Sequence, residues 1–180
     1  MLKGFFKKCR GIKDAKILIL GLDTCGKTTI LFKFLYGNRL NYVPTIGFNQ
    51  DNYEFLGFDM NIWDLCGSTR MRPLWFHYFN NTNGLVFVVD STNEDRIDEA
   101  AYELNNVLAE NEMKNAILLV FANKQDLLSS MTAEEIRFRL QLDTISNRLW
   151  HIQCCSAFTG DGILEGFEWM AQQMKKTLKT

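Results

Sequence analysis

The chain has 180 residues, of which 47% are hydrophobic and 23% charged, a composition typical of one folded domain rather than a disordered segment. Its formal net charge of −1 argues against nonspecific nucleic-acid binding, which needs a strongly basic surface. The five cysteines show no zinc-ligand spacing, and no apolar run approaches the length of about 18 residues that spans a membrane. A reducing, cytoplasmic setting is therefore expected.

The first predicted element is a basic amphipathic helix over residues 1–13. This segment carries five basic residues and no acidic one, and helical periodicity gathers its apolar residues on one side. Those apolar residues are Leu2, Phe5, Phe6, Cys9 and Ile12. The pattern is typical of a helix that lies in a membrane interface, and a permanently docked or frayed helix is the alternative. Residue 2 is Leu and not Gly, so N-myristoylation is not expected if Met1 is the native start, and a second attachment signal would be needed.

Residues 14–180 are predicted to form one α/β domain in which strands and helices alternate. Near-continuous apolar runs, typical of strands buried on both faces, occupy residues 15–20, 59–65, 84–90, 116–123 and 149–156. Helical patterns occupy residues 27–36, 96–110, 132–140 and 162–178. An additional strand at 48–55 directly precedes the one at 59–65, which indicates a hairpin. We expect a three-layer sandwich around a mostly parallel six-stranded sheet with one antiparallel edge hairpin, and ligands at the carboxyl ends of the strands.

A phosphate-binding loop is predicted between the first strand and the first helix. Residues 21–28 read Gly-Leu-Asp-Thr-Cys-Gly-Lys-Thr and match GxxxxGK[ST], the P-loop of NTPases, whose backbone N–H groups and helix N-terminus bind phosphates. Lys27 is expected to reach the β- and γ-phosphates, and Thr28 to offer its hydroxyl to Mg²⁺. The candidate phosphate-binding residues are Asp23, Thr24, Cys25, Gly26, Lys27, Thr28 and Thr29.

A second motif favours guanine over adenine. Residues 123–126 read Asn-Lys-Gln-Asp, follow a predicted strand, and resemble the NKxD motif of small GTPases. The Asp126 carboxylate can accept two hydrogen bonds from guanine, where adenine has no matching donors. The motif therefore argues against the rival reading as a P-loop ATPase or kinase. The resemblance further implies that Lys124 lies over the base and that Asn123 ties this loop to the phosphate loop.

Two more segments extend the resemblance to nearly the whole chain. Residues 43–48 read Val-Pro-Thr-Ile-Gly-Phe and residues 63–75 read Trp-Asp-Leu-Cys-Gly-Ser-Thr-Arg-Met-Arg-Pro-Leu-Trp. Together with the two motifs above, they resemble the switch regions of the ADP-ribosylation-factor (Arf) and Arf-like family. The chain is thus expected to be a monomeric GTP/GDP switch in membrane traffic, reversibly bound to a cytosolic membrane face, Golgi or endosomal. The expected partners are an exchange factor, a GTPase-activating protein and effectors.

The resemblance also implies roles for individual residues. Thr45 would bind Mg²⁺ and the γ-phosphate only in the GTP state, Asp64 would hold the magnesium shell through water, and the Gly67 amide would contact the γ-phosphate. At the base, Ser156 and Ala157 would close the guanine site, with the Ala157 N–H on the guanine O6. An exposed triad would face effectors, with burial in the core as the alternative reading. The triad residues are Phe48, Trp63 and Tyr78.

The chain departs from the family at the hydrolytic position. The family reads W-D-x-G-G-Q, whereas here Cys66, Gly67 and Ser68 follow Leu65, so Ser68 replaces the glutamine that orients the attacking water. The catalytic candidates are Lys27, Thr45, Gly67 and Ser68. Because Ser68 replaces the glutamine, we expect very slow intrinsic hydrolysis, and a non-hydrolysing GTP-binding scaffold is the alternative. Redox control through Cys25 and Cys66 is the alternative to inert thiols, which are the preferred interpretation.

Overall fold

The computed structural model describes residues 11–37, 45 and 47–177. The described chain forms strands β1 (Lys13–Gly21), β2 (Phe48–Phe55), β3 (Phe58–Leu65), β4 (Gly84–Asp90), β5 (Ile117–Asn123) and β6 (Trp150–Cys154). Its helices are α1 (Lys27–Tyr36), α2 (Ile97–Ala109), α3 (Ala133–Arg139) and α4 (Ile163–Thr177). Short 3-10 helices lie at Arg72–Tyr78, Glu94–Arg96, Asn111–Met113 and Leu142–Thr144.

The six strands form one sheet in the order β2-β3-β1-β4-β5-β6. Every neighbouring pair is parallel except β2 and β3, which form an antiparallel hairpin at one edge. This confirms the predicted architecture. The carboxyl ends of β1, β3, β4 and β5 therefore meet at one edge of the sheet, where the candidate motifs follow them.

The core lies on both faces of this sheet because alternate strand residues point in opposite directions. In β1, Leu18 and Leu20 belong to the apolar cluster that contains α2, whereas Ile17 and Ile19 belong to the cluster that contains α4. The central strands β4 and β5 are buried along almost their whole length. This packing explains why their sequences read as continuous apolar runs.

The element boundaries differ from the sequence prediction mainly in β1 and β6. β1 already begins at Lys13, which pairs with Phe58 of β3, and Gly11 has a left-handed backbone with φ of 68°. Lys13, the last residue of the predicted helix, is therefore in a strand, and residues 1–10 lie outside the described part of the chain. β6 ends at Cys154, two residues earlier than predicted, because the chain there turns into the candidate site. Of the helices that the structure describes, none is long and apolar enough to span a membrane.

Candidate nucleotide-binding site

The phosphate loop connects β1 to α1 and folds back on the end of β5. Gly26 has φ of 100°, and a Cβ added there would lie only 2.2 Å from Asn123 Nδ2. A side chain is therefore excluded by both backbone conformation and space. The loop also contains Thr24 with φ of 60°, a conformation that a non-glycine residue adopts only where the surrounding structure enforces it.

Most of the predicted phosphate-binding residues line one cavity of ≈ 420 Å³. The Lys27 ammonium is buried at this cavity and donates a hydrogen bond of 2.6 Å to the Leu22 carbonyl. Cys25 differs, because its side chain is buried beneath the loop and burial raises the pKa of its thiol. The residues that line the cavity are Asp23, Thr24, Gly26, Lys27, Thr28, Thr29, Thr45, Cys66, Gly67 and Ser68.

Hydroxyl and carboxylate oxygens meet where a magnesium ion was predicted. Thr28 Oγ1 lies 2.7 Å from Thr45 Oγ1 and donates a hydrogen bond of 2.5 Å to Asp64 Oδ2. The Asp64 carboxyl is fully buried, and its Oδ1 has no hydrogen-bond partner among the described residues. Burial raises the pKa of Asp64, and its hydrogen bond from Thr28 and the Lys27 charge offset this only in part. A cation would satisfy such a carboxylate.

The donor set fits Mg²⁺ that is shared with phosphates. Within residues 11–37, 45 and 47–177 no cluster of three or more His, Cys, Asp or Glu side chains could hold a metal by itself. Mg²⁺ commonly keeps several waters and combines one or two carboxylates with substrate phosphates. The Thr28 and Thr45 hydroxyls, both bonded to the Asp64 carboxylate, would suit that coordination.

Asn49 is a member of this cluster that sequence reasoning missed. Its Nδ2 donates to Thr45 Oγ1 at 2.9 Å and to Asp64 Oδ2 at 3.1 Å. The β2–β3 register pairs Asn49 directly with Asp64. A polar residue next to the predicted switch was the available signal, but the register that places it opposite Asp64 was not readable.

Asn123 connects the base motif to the phosphate loop. Its Nδ2 donates to the Cys25 carbonyl at 2.8 Å, and its Oδ1 accepts a bond of 2.9 Å from the Ala157 N–H. The first contact is the predicted tie between the two loops. The second was not predicted, since the Ala157 N–H was expected to face guanine O6. Asn123 thus connects three loops, which follow β1, β5 and β6.

Two further contacts organise the base side. Ser156 Oγ donates to Asp126 Oδ1 at 2.6 Å, which brings together the two residues that the sequence assigned to guanine. Lys124, with φ of 71°, donates to Asp90 Oδ2 at 2.5 Å. Burial alone would raise the pKa of Asp90, but hydrogen bonds from Lys124 and Thr92 outweigh it and lower that pKa. Asp90 ends β4 and was not recognised from the sequence.

The hydrolytic position contains a thiol next to a hydroxyl. Cys66 Sγ donates to Ser68 Oγ at 3.4 Å, and both residues line the phosphate cavity. Burial alone would raise the pKa of the Cys66 thiol, but hydrogen bonding with Ser68 and the charge of Lys27 lower it overall. The two thiols that the sequence predicted to be inert therefore differ, because the pKa of Cys25 is raised and that of Cys66 is lowered.

The three predicted effector-facing residues form one aromatic cluster. The ring centroids of Phe48, Trp63 and Tyr78 lie 5.1 to 5.7 Å apart. Phe48 is 46% exposed, whereas Trp63 and Tyr78 are half-buried against the core. The cluster therefore packs against the core and presents the Phe48 ring to solvent, and its contact with effectors stays a prediction. The Lys16 ammonium lies 5.8 Å from the Trp63 ring centroid and donates to the Tyr78 carbonyl at 2.6 Å.

Comparison with known proteins agrees with this geometry. The model of the ADP-ribosylation factor family matches residues 2–174 of the chain. The chain belongs to this family. Among solved structures, this Arf-family protein is similar to the Arl6 (BBS3) small GTPase of Trypanosoma brucei, solved with the bound nucleotide analogue GppNp. The two chains are 27% identical with a TM-score of 0.84, over 91% of this chain and 99% of the other. The fold of this Arf-family protein is therefore that of a P-loop GTPase.

Proposed function

We propose that this Arf-family protein is a GTP-binding switch that alternates between GDP and GTP states and recruits effectors in membrane traffic. The observation that carries the proposal is the position of Asn123, which joins the phosphate loop, the base motif and the loop after β6. A nucleotide that spans these loops contacts the phosphate cavity with one end and Asp126 with the other.

In the proposed complex each end of the nucleotide has its own residues. Lys27 and the backbone N–H groups of residues 23–29 neutralise and bind the phosphates. Asp126 accepts from the guanine N1–H and 2-amino group, and the bond from Ser156 orients its carboxylate. Thr28, Thr45 and Asp64 would hold Mg²⁺, which when bound neutralises charge on the β- and γ-phosphates. The contact of Thr45 with Thr28 supports a role for Thr45 in sensing the GTP state.

We further propose that hydrolysis is very slow without a partner. The Ser68 hydroxyl is too short to contact both an attacking water and the γ-phosphate, and its oxygen already accepts from Cys66. Small GTPases that keep the glutamine turn over unaided at only about 10⁻⁴ s⁻¹. A GTPase-activating protein would have to complete the site. The same observation favours a second candidate, a scaffold that binds GTP and does not hydrolyse it.

Nucleotide preference tests the proposal. Purified protein should bind GDP and GTP far more tightly than ADP, and Asp126→Asn should weaken GDP binding and shift preference towards XDP, because an amide donates where the carboxylate accepted. Asp143→Asn is the matched control, since Asp143 pairs with Arg137 on the surface. A native preference for ADP would refute the base assignment. Single-turnover cleavage of GTP then separates the switch from the non-hydrolysing scaffold.

Membrane association is a separate part of the proposal, and it rests on the sequence of residues 1–13. With GTP-loaded protein and anionic liposomes, the double change Phe5→Glu with Phe6→Glu should reduce pelleting, because it places charge on the apolar face and offsets basic attraction of about 1 kcal/mol per residue. Equal pelleting of the variant and the wild type would mean that this segment is not an anchor.

A further inference from the structure

Three consecutive peptide groups around Gly67 are each held by one hydrogen bond from elsewhere in the chain. The Cys66 N–H donates to the Gly47 carbonyl at 2.9 Å. The Trp75 indole N–H donates to the Cys66 carbonyl at 3.0 Å, and Arg72 Nε donates to the Gly67 carbonyl at 2.8 Å. Both side-chain donors come from the 3-10 helix at Arg72–Tyr78. The backbone of this segment therefore has little rotational freedom.

The bond from Trp75 determines where the Gly67 N–H points. The carbonyl of Cys66 and the N–H of Gly67 belong to the same peptide group, and in a planar trans peptide these two dipoles point in opposite directions. A donor that holds the carbonyl on one side turns the N–H to the other side. Gly67 lines the phosphate cavity, and an added Cβ would lie 2.3 Å from the Gly21 carbonyl oxygen. At position 67, therefore, only backbone groups can contact a ligand.

The two donors are themselves firmly held. Trp75 is 3% exposed, and the side chain of Arg72 is 4% exposed. Arg72 pairs with Glu99 at 2.7 Å and Glu103 at 3.1 Å, both on α2, and with Asp23 of the phosphate loop at 3.4 Å. The planar guanidinium can serve all these acceptors at once, which a lysine ammonium cannot do in the same geometry. The orientation of Gly67 is thereby coupled to α2 and to the phosphate loop.

We infer that Trp75 and Arg72 are positioning residues which aim the Gly67 N–H at the γ-phosphate and so set the preference for GTP over GDP. The inference rests on the proposed function and deepens it. With Ser68 in place of the glutamine, the Gly67 N–H is a backbone donor at this cavity that remains suited to recognise the phosphate. Backbone donors fixed before the ligand arrives bind an anion without a reorganisation cost.

The test compares two tryptophan variants with the same chemistry. Trp75→Phe removes the indole N–H and keeps an aromatic ring, and Trp150→Phe is the matched control, because the Trp150 indole donates to the Ile145 carbonyl at 3.2 Å away from the site. Affinities for GDP and for GppNp are measured by titration in the presence of Mg²⁺. We expect Trp75→Phe to bind GppNp about tenfold more weakly, the effect of one misdirected hydrogen bond to a charged group. GDP affinity should change less than about twofold, and Trp150→Phe should behave as wild type.

Arg72→Lys provides a second variant that does not depend on the aromatic core. It should lower the ratio of GppNp to GDP affinity in the same direction, because the ammonium cannot bond Gly67 and two glutamates together. An unchanged ratio in both variants would overturn the inference, as would an equal loss of GDP and GppNp affinity, which indicates only a damaged fold. Wild-type protein that binds neither nucleotide would instead overturn the proposed function, so the two failures are distinguishable.

Discussion

The two ends of the candidate site are built differently. The base end is held by hydrogen bonds that cross between loops, with Asn123 bonded to both Cys25 and Ala157 and Ser156 bonded to Asp126. At the hydrolytic end, Cys66 and Ser68 form a hydrogen bond with each other. The base end therefore has a set of contacts that join three loops, whereas the hydrolytic end has Ser68 where the family pattern has a glutamine.

Under the proposed function, we expect nucleotide binding and hydrolysis to be separable in this protein. Binding uses many groups that are distributed over several loops, so a change at the hydrolytic end leaves most of them in place. Orientation of an attacking water depends on one side chain with the correct length and donor pattern. A substitution at Ser68 can therefore change the rate of the chemical step and leave the affinity almost unaltered.

The largest expected effect on nucleotide affinity comes from removing the Asn123 side chain, which connects the loops at the base end. Asn123→Ala removes both loop ties and leaves the Cys25 carbonyl and the Ala157 N–H buried without their partner, at a cost of about 1–3 kcal/mol each. Affinity for GDP should fall by about two orders of magnitude. Isothermal titration measures it, and thermal unfolding of the nucleotide-free variant shows how much of the loss is stability. An affinity close to wild type would show that the loop ties do not organise the site.

The next effect concerns the metal. Asp64→Asn keeps the shape of the side chain and removes its charge. The ratio of GTP affinity with Mg²⁺ to GTP affinity without it should therefore fall about 10- to 100-fold, as expected for a group that supports metal ligands. The measurement is GTP affinity with Mg²⁺ and with excess EDTA. Asp161→Asn is the surface control, since Asp161 bonds to Thr159 in an exposed loop. If wild-type affinity is the same with and without Mg²⁺, the magnesium assignment is wrong.

The parts of this site that the sequence predicted are those in which adjacent residues act together. The phosphate loop and residues 123–126 are continuous motifs at the ends of strands, so their place in the candidate site could be predicted without a structure. Asn49 and Asp90 were missed because their roles depend on pairing between strands. The two-residue turn at Leu56 and Gly57, both with positive φ, sets the register that places Asn49 opposite Asp64.

Arg72 shows a second reason for the incomplete prediction. Its residue type was read as part of a family pattern, but its acidic partners lie far away in sequence, on α2 and in the phosphate loop. Charged residues on a helix are usually solvated, and nothing in the pattern of α2 marks Glu99 and Glu103 as partners of a buried arginine. Only the packing of the 3-10 helix against α2 brings them together.

A smaller effect is expected from repairing the hydrolytic end. Ser68→Gln should accelerate single-turnover cleavage of GTP about tenfold, because an amide can contact both the water and the γ-phosphate. The double change Cys66→Gly with Ser68→Gln should exceed either single change, since it also restores the small residue of the family pattern. GTP affinity should barely change because Lys27, Thr28 and Asp64 remain in place.

The control for this repair is Asn52→Gln, which lengthens an exposed amide that pairs with Asn61 on the β2–β3 hairpin, outside the phosphate cavity, and should not accelerate cleavage. Variants with Ser68→Gln that bind GTP but cleave it no faster than the wild type would remove the meaning assigned to Ser68. Hydrolysis would then be limited elsewhere, and the contrast between the two ends of the site would have another cause.

The smallest expected effect tests whether Cys66 and Ser68 are paired in solution. Partial burial alone would raise the pKa of the Cys66 thiol, but the Ser68 hydroxyl, which can turn to donate to the thiolate, and the charge of Lys27 lower it overall. The thiolate is the reactive form. At a pH below the pKa of the thiol, a lower pKa means a larger fraction of thiolate. Ser68→Ala raises the pKa of Cys66 again, so this change should slow its alkylation by iodoacetamide a few-fold near neutral pH. Peptide mass spectrometry identifies Cys66 and uses the buried Cys25 as an internal control, because the raised pKa of Cys25 predicts little modification. Equal rates in the wild type and Ser68→Ala would mean that the serine is available to water or phosphate after all, and the two ends of the site would then differ less than their geometry indicates.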